Sequence, residues 1–231
     1  MPEPAAAAAS AVPAGTPSPR TGPLRGRMAQ ANRNDTAILD AARKVFVADP
    51  SAPISAVAKE AGVGISALYR RYTGKEELLQ TLCANGLATY IEIAQASLEV
   101  DDPWRGFADF LAGVVDADVH SLTVNLAGSF TPTPELHARA TEATRLAGQL
   151  LDRAAAAGAV RADFDVNDIA MLLEQLTAVR LEDPERTRTL RRRYLALHLE
   201  ALRPDTARAT LPGPPPSPAE LGARWIPKNA A

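Results

Sequence analysis

The chain has 231 residues, 46% hydrophobic and 23% charged, which suits an ordinary globular protein long enough to bury a real core. Its single cysteine, Cys83, excludes an intrachain disulfide or a thiolate zinc site and is compatible with a reducing cytoplasm. The formal net charge is −2, but residues 27–78 carry eight basic against six acidic groups, and residues 79–231 carry fifteen against twenty. A slightly basic segment thus precedes an acidic body.

Residues 1–33 read as a disordered arm. The first 26 are rich in Ala, Pro, Gly and Ser, and Pro13, Pro17, Pro19 and Pro23 interrupt any apolar run, so this is no secretory leader. No window approaches the roughly 18 apolar residues of a membrane span. Arg25, Arg27 and Arg33 can lie on phosphates, enter a minor groove, or form a solvated basic tail.

Folded structure is expected from Asn34 or Asp35, either of which can cap a helix. Ile38, Leu39, Ala42, Val45 and Phe46 then share one helical face. Pro50 and Pro53 end that helix and open a second, with Pro53 at its first position and Val57, Ala58 and Ala61 on its inner face. Gly62 stands where a left-handed residue is wanted. A third helix over 65–72 turns Leu68 inward, and Thr73-Gly74 breaks it. Lys75 opens a fourth, with Glu76 and Glu77 in the first turn where negative charge suits the helix dipole. That helix runs to about Val100, before Asp101-Asp102-Pro103.

Two short helices joined by the tight turn Ala61-Gly62-Val63-Gly64 have the geometry of a helix-turn-helix, here covering residues 35–79. Ile65, Ser66 and Ala67 form the exposed first turn of its second helix, closest to base edges. Ser66 can hydrogen-bond there, whereas Ile65 and Ala67 make only apolar contacts, for instance with a thymine methyl. Arg70 and Arg71 add to the reading, grip phosphates, or stay solvated. Lys75 joins a charge to free backbone N–H groups, a natural phosphate site, and Ser55 can make a similar contact.

The helical period continues to about Leu202. Trp104, Phe107, Phe110, Leu111, Val114 and Val115 make one amphipathic stretch, and further helices are expected over 121–128, 134–157, 166–180 and 185–202. The tail after Arg203, with Pro212, Pro214, Pro215, Pro216 and Pro218, reads as extended and loosely held. The chain therefore divides into an arm (1–33), a helix-turn-helix (34–79), a helical body (80–203) and a Pro-rich tail (204–231). Its fold class is all-α.

Four blocks carry a more specific signal: Ile38-Leu39-Asp40-Ala41-Ala42, Val57-Ala58-Lys59-Glu60-Ala61-Gly62-Val63, Leu68-Tyr69-Arg70-Arg71-Tyr72 and Lys75-Glu76-Glu77-Leu78-Leu79. In this order and spacing, over roughly a fifth of the chain, they resemble the N-terminal domain of the tetracycline-repressor (TetR) family. The resemblance implies an all-helical homodimer, with a three-helix head on double-stranded DNA and a divergent body that binds a small-molecule effector. A cytoplasmic regulator with no cofactor, metal or catalytic residue is expected. Tyr69 matches the family's phosphate-contacting tyrosine, with core packing as its alternative; Tyr72 reads as core. Departures are Gly64 for the frequent Ser, Ala67 for Thr and Tyr72 for Phe, which weaken helix capping and remove a hydroxyl.

If the resemblance extends to the body, the last two helices supply the interface through Ile169, Leu172, Leu173, Leu176, Leu190, Tyr194 and Leu197, residues that can equally be intramolecular core, as can Leu202. Two-fold pairing would set the recognition helices about 34 Å apart over a near-palindromic operator. A pocket would draw apolar walls from Trp104, Phe107, Phe110, Phe130 and Met171, with His120, Asn125, His137, Gln149 and Gln175 to orient a ligand. Residues 128–134 would form its lip. The expected function is a repressor released from DNA by a small molecule. The alternatives are a DNA-binding accessory protein without ligand control, or a helical enzyme. Against the last, His120, His137 and His198 lack metal spacing, neither a Gly-x-Ser-x-Gly elbow nor a phosphate-gripping Gly-x-x-x-x-Gly-Lys loop occurs, and Cys83 reads as core.

Overall fold

In the computed structural model the described residues are 23–205 and 209–226, with side chains from Asp35 onward, and they form helices without strands. The first three are α1 (Pro23–Ala48), α2 (Ile54–Glu60) and α3 (Ile65–Arg71), which make the head. The long α4 (Lys75–Leu98) runs from the head into a body of α5 (Pro103–Asp116), α6 (Val119–Leu126), α7 (Pro134–Ala156), α8 (Val166–Ala178) and α9 (Pro184–Ala201). A short α10 (Pro218–Ala223) lies in the tail. No described helix is long and apolar enough to cross a membrane.

One device starts three of the body helices. Asp102, Thr133 and Asp183 each accept a hydrogen bond from a backbone N–H of the following turn, and Pro103, Pro134 and Pro184 take the next position, where a missing N–H costs nothing. Asp165 and Asp168 close a capping box on α8. In the head, Gly62 ends α2 at φ +65°, a left-handed turn that a side chain would strain.

Two expectations need correction. Helix α1 begins at Pro23 rather than near Asn34, so the arm is helical from that residue. The proline suits a first helical position, and the Leu24, Arg25, Arg27, Met28, Ala29 and Gln30 that follow are good helix formers. Residues 1–22 of the arm lie outside the described residues, as do the side chains of Arg25, Arg27 and Arg33.

The tail is not extended throughout. Ser217 and Glu220 form a reciprocal capping box, with the Ser217 N–H donating to Glu220 Oε2 at 2.8 Å, and Pro218 starts α10. The tail is also tied to the body. The Leu211 N–H donates to Asp163 Oδ2 at 2.7 Å, Arg161 donates to the Ala209 carbonyl at 2.7 Å, and Arg224 pairs with Glu174. The Trp225 ring meets Phe130 edge-on at 6.0 Å between centroids.

The buried side chains fall into two clusters. One joins α5, α7, α8 and α9 around Phe107, Phe110, Leu150 and Leu176. Where α5 crosses α4, Gly106 permits the approach: a Cβ there would stand 2.7 Å from the Ser97 carbonyl oxygen. The second cluster holds the head residues Phe46, Val57 and Leu68 and continues without interruption through Leu79, Leu82 and Cys83 to Leu122, Leu126, Phe130 and Leu136. The core of the head is thus continuous with the middle of the body.

A polar joint runs beside that cluster. Arg43 of α1 donates to the carbonyls of Ala117 (2.8 Å) and Asp118, and Arg180 reaches the Val47 carbonyl at 3.3 Å. Asp118 has φ 50°, a left-handed conformation that a short polar side chain tolerates, and it turns the chain from α5 into α6. Its carboxylate accepts from Arg191 at 2.5 Å, and Arg191, only 6% exposed, donates also to the carbonyls of Val179 (3.0 Å) and Thr177 (3.1 Å).

Candidate nucleic-acid interface and internal cavity

Helix α3 buries Leu68 and turns Ile65, Ser66, Tyr69 and Arg70 outward on the opposite side, with Ala67 half-buried. Tyr69 is 52% exposed and Ile65 is 40% exposed, far more than packing side chains would be. Ser55 is also exposed, in the first turn of α2. Arg71 is exposed but held by Asp35 of α1 at 3.0 Å, while Tyr72 is buried at the C-cap of α3. Burial holds the Tyr72 hydroxyl above its usual pKa.

Lys75 does not face outward as the sequence suggests. Its Nζ donates to the carbonyls of Pro50 (2.7 Å) and Ala52 (2.8 Å) and stands 5.1 Å from the Phe46 ring centroid. Partial burial lowers its pKa. The ammonium satisfies carbonyls that the end of α1 and the following turn leave open, which is a bracing role inside the head. A second capping group escaped the sequence reading. The Glu77 carboxylate accepts from the Thr73 N–H (2.6 Å) and hydroxyl (2.7 Å), and these bonds pull its pKa down.

Between α4, α6, α7, α8 and α10 lies a cavity of about 470 Å³, within the usual range of small-molecule sites. Cys83, Leu87 and Tyr90 line it from α4, His120 and Thr123 from α6, Thr141 and Thr144 from α7, Asn167 and Ala170 from α8, and Leu221 and Trp225 from the tail. Burial pushes the Cys83 thiol up to about 12 and raises Tyr90, so both are protonated. Burial pushes His120 down to about 4, overriding the opposing pull of nearby Glu174 and Asp118.

His120 therefore makes stability depend on pH. Its folded pKa lies below the unfolded value, so the neutral ring's contribution is present above about pH 6.5 and disappears as pH falls toward 4. Acidification through that window should cost about 1–3 kcal/mol, and His120→Asn should flatten the dependence in urea titrations at stepped pH. An identical pH profile in the variant would rule this out.

Of the residues expected to form a pocket, His120, His137 and Phe130 do line the cavity. The others are elsewhere. Phe107 and Phe110 are wholly buried in the body core, and Trp104 packs on its edge with Arg203 4.5 Å above the ring. Asn125 bonds its own helix at the Ser121 carbonyl (2.7 Å), Gln149 and Gln175 are exposed, and the Met171 sulfur sits 3.9 Å from Arg224. The α4 contribution was legible as Cys83, Leu87 and Tyr90 at i, i+4 and i+7, one helical face.

The face expected to pair with a second chain also divides. Ile169, Leu172, Leu173 and Leu176 are buried in the chain's own core, because α6, α7 and α9 cover that side of α8, and Leu202 is buried with them. On α9, Leu190 is half-buried, while Tyr194 and Leu197 remain 43% and 60% exposed.

Similarities to known proteins agree with this architecture. Residues 38–82 match the family of bacterial regulatory proteins named tetR, and residues 102–204 match the SbtR-like transcriptional regulator C-terminal domain. Among solved structures, the TetR transcriptional regulator SCO0520 from Streptomyces coelicolor is 26% identical, with a TM-score of 0.52 over 74% of this chain and 98% of its own. A TetR transcription regulatory protein from Mycobacterium vanbaalenii is also 26% identical, with a TM-score of 0.50 over 78% and 99%. The TetR-like regulator LfrR from Mycobacterium smegmatis, solved in complex with proflavine, shares the fold at 22% identity, with a TM-score of 0.58 over 78% and 99%. No curated protein gives a significant match. With head and body each matched, and a described architecture of helix-turn-helix head on helical body, this chain belongs to the TetR family of transcriptional regulators.

Proposed function

We propose that the protein is a cytoplasmic, homodimeric repressor whose paired heads hold a near-palindromic operator and let go when a small molecule fills the 470 Å³ cavity. The observation that supports release is the shared core. Cys83, Leu122, Phe130 and Leu136 line the cavity and belong to the same buried cluster as Phe46, Val57 and Leu68 of the head. Close-packed side chains transmit displacement, so a ligand pressing on that wall re-aims the head through α4 and α6. Two heads that no longer meet their half-sites together lose affinity, by a coupling of about 1–3 kcal/mol. The exposed Tyr194 and Leu197 on α9 offer an apolar strip for the second copy.

At the DNA, Ser55 and Tyr69 would position the head on phosphates, Arg70 would add charge to that grip, and Ile65, Ser66 and Ala67 would face the bases. Arg71 would contribute in part, since Asp35 already holds it. Lys75 is assigned to the head's internal bracing instead. Titrations of DNA at stepped salt separate these roles. Arg70→Ala should reduce the slope of log affinity against log salt by about 1 per head, whereas Lys75→Met should lower thermal stability and leave that slope as it is. Tyr69→Phe should weaken all sequences alike, and Ser66→Ala should change sequence preference. An unaltered slope in Arg70→Ala, together with a reduced one in Lys75→Met, would invert the assignment.

A further inference from the structure

We propose that the cavity takes an uncharged, largely apolar molecule, closed in by the tail helix α10; this rests on the reading of the cavity as the effector site. Among the described residues, no Asp, Glu, Lys or Arg lines it. A charged pair, Glu174 with Arg224, lies in a smaller adjoining hollow that shares His120, Leu221 and Trp225 with the cavity, and the two neutralise each other. A carboxylate or ammonium entering the main cavity would leave water with no carboxylate, ammonium or guanidinium to meet it among the described lining residues. The groups that do face inward, among them His120, Thr123, Tyr90 and Asn167, can exchange hydrogen bonds with a hydroxyl, carbonyl or ether, and burial keeps the imidazole neutral.

The tail supplies both a wall and a way in. Pro218, Leu221 and Trp225 close one side, yet α10 has no buried residue of its own. It is held by the exposed Arg224–Glu174 pair and by Trp225 on Phe130. With so few buried contacts this wall is among the segments that open most easily, and its opening widens the cavity's mouth while the helical body stays intact.

A matched trio tests the ligand class on the full chain. In a Trp104→Phe variant, Trp225 is the only tryptophan and reports on the cavity. Decanol should shift its emission saturably, while decanoate and decylammonium at neutral pH should bind at least tenfold more weakly. Thr144→Phe, which fills the cavity from an exposed position, should weaken decanol binding severalfold. Either ion binding as tightly as decanol would overturn the proposal, as would decanol binding that ignores Thr144→Phe, or no decanol binding at all. Operator release followed in the same samples separates the two claims. Decanol bound without any effect on DNA would support the ligand class and refute the effector reading. Release by an ion that occupies the cavity would do the reverse.

Discussion

Phe46→Ala should destabilise the protein by about 3–5 kcal/mol, the usual cost of emptying a phenylalanine site in a close-packed core. Phe46 is wholly buried, and its cluster unites the head with α4 and α6. Its ring also lies 5.1 Å beneath the Lys75 ammonium, which donates to the carbonyls of Pro50 and Ala52, so its removal loosens the joint between α1, α2 and α4 as well. Phe46→Leu keeps most of the apolar volume and loses the aromatic face, and should cost distinctly less. Urea denaturation followed by circular dichroism gives both values. A loss below about 1 kcal/mol for the alanine variant would show that Phe46 is not the keystone of the shared cluster.

The second large effect is expected at Asp118. Its carboxylate is the only charge partner of Arg191 among the described residues, and Arg191 is 6% exposed. Removing one member of a buried pair leaves the other charge uncompensated, at about 3–5 kcal/mol where both are fully buried. Asp118 is 38% exposed in its side chain, so water repays part of that and about 3 kcal/mol is expected for Asp118→Ala. Charge, hydrogen bonding and backbone strain all contribute, since the carboxylate also accepts from the buried Ser121 hydroxyl and lies 3.8 Å from Arg43, and two variants separate them. Asp118→Asn keeps a hydrogen-bonding side chain that tolerates φ 50° and removes only the charge, whereas alanine adds the strain of a left-handed residue without polar compensation. Alanine should therefore cost more than asparagine. In the double variant with Arg191→Met, the losses should sum to less than the two single effects, since the orphaned charge is gone. Strict additivity would mean that the pair is not energetically coupled.

Most of the head was legible because α2 and α3 are short and bounded by strong punctuation, with Pro53, Gly62 and Gly74 at the breaks and a 3.6-residue apolar period between them, whereas the start of the long α1, at Pro23, reads as one more proline of the arm. The body helices carry the same punctuation in Asp102-Pro103, Thr133-Pro134 and Asp183-Pro184. Periodicity shows that a face is apolar and says nothing about what covers it. Ile169, Leu172, Leu173 and Leu176 satisfy the pattern of an interface and of a core equally, and tertiary packing puts them in the core. In the same way, Lys75 sits at a helix N-terminus where a phosphate site is reasonable, but a four-carbon stem can swing either way, and open carbonyls at Pro50 and Ala52 draw it inward. In the tail, a high proline content masked the Ser217–Glu220 capping box that builds α10. Trp225, a cavity wall, was thereby missed.

Whether the full chain forms a discrete complex with DNA decides whether it is an operator-binding regulator. DNA flanking the protein's own gene, together with fragments captured from the genome, is titrated at one stated salt concentration by gel shift. A discrete complex of two protomers per site, competed by the same unlabelled fragment and not by unrelated DNA, is the expected result. Uniform weak binding to every fragment, or none to any, would contradict the assignment of α3 as the reading helix of an operator-binding regulator.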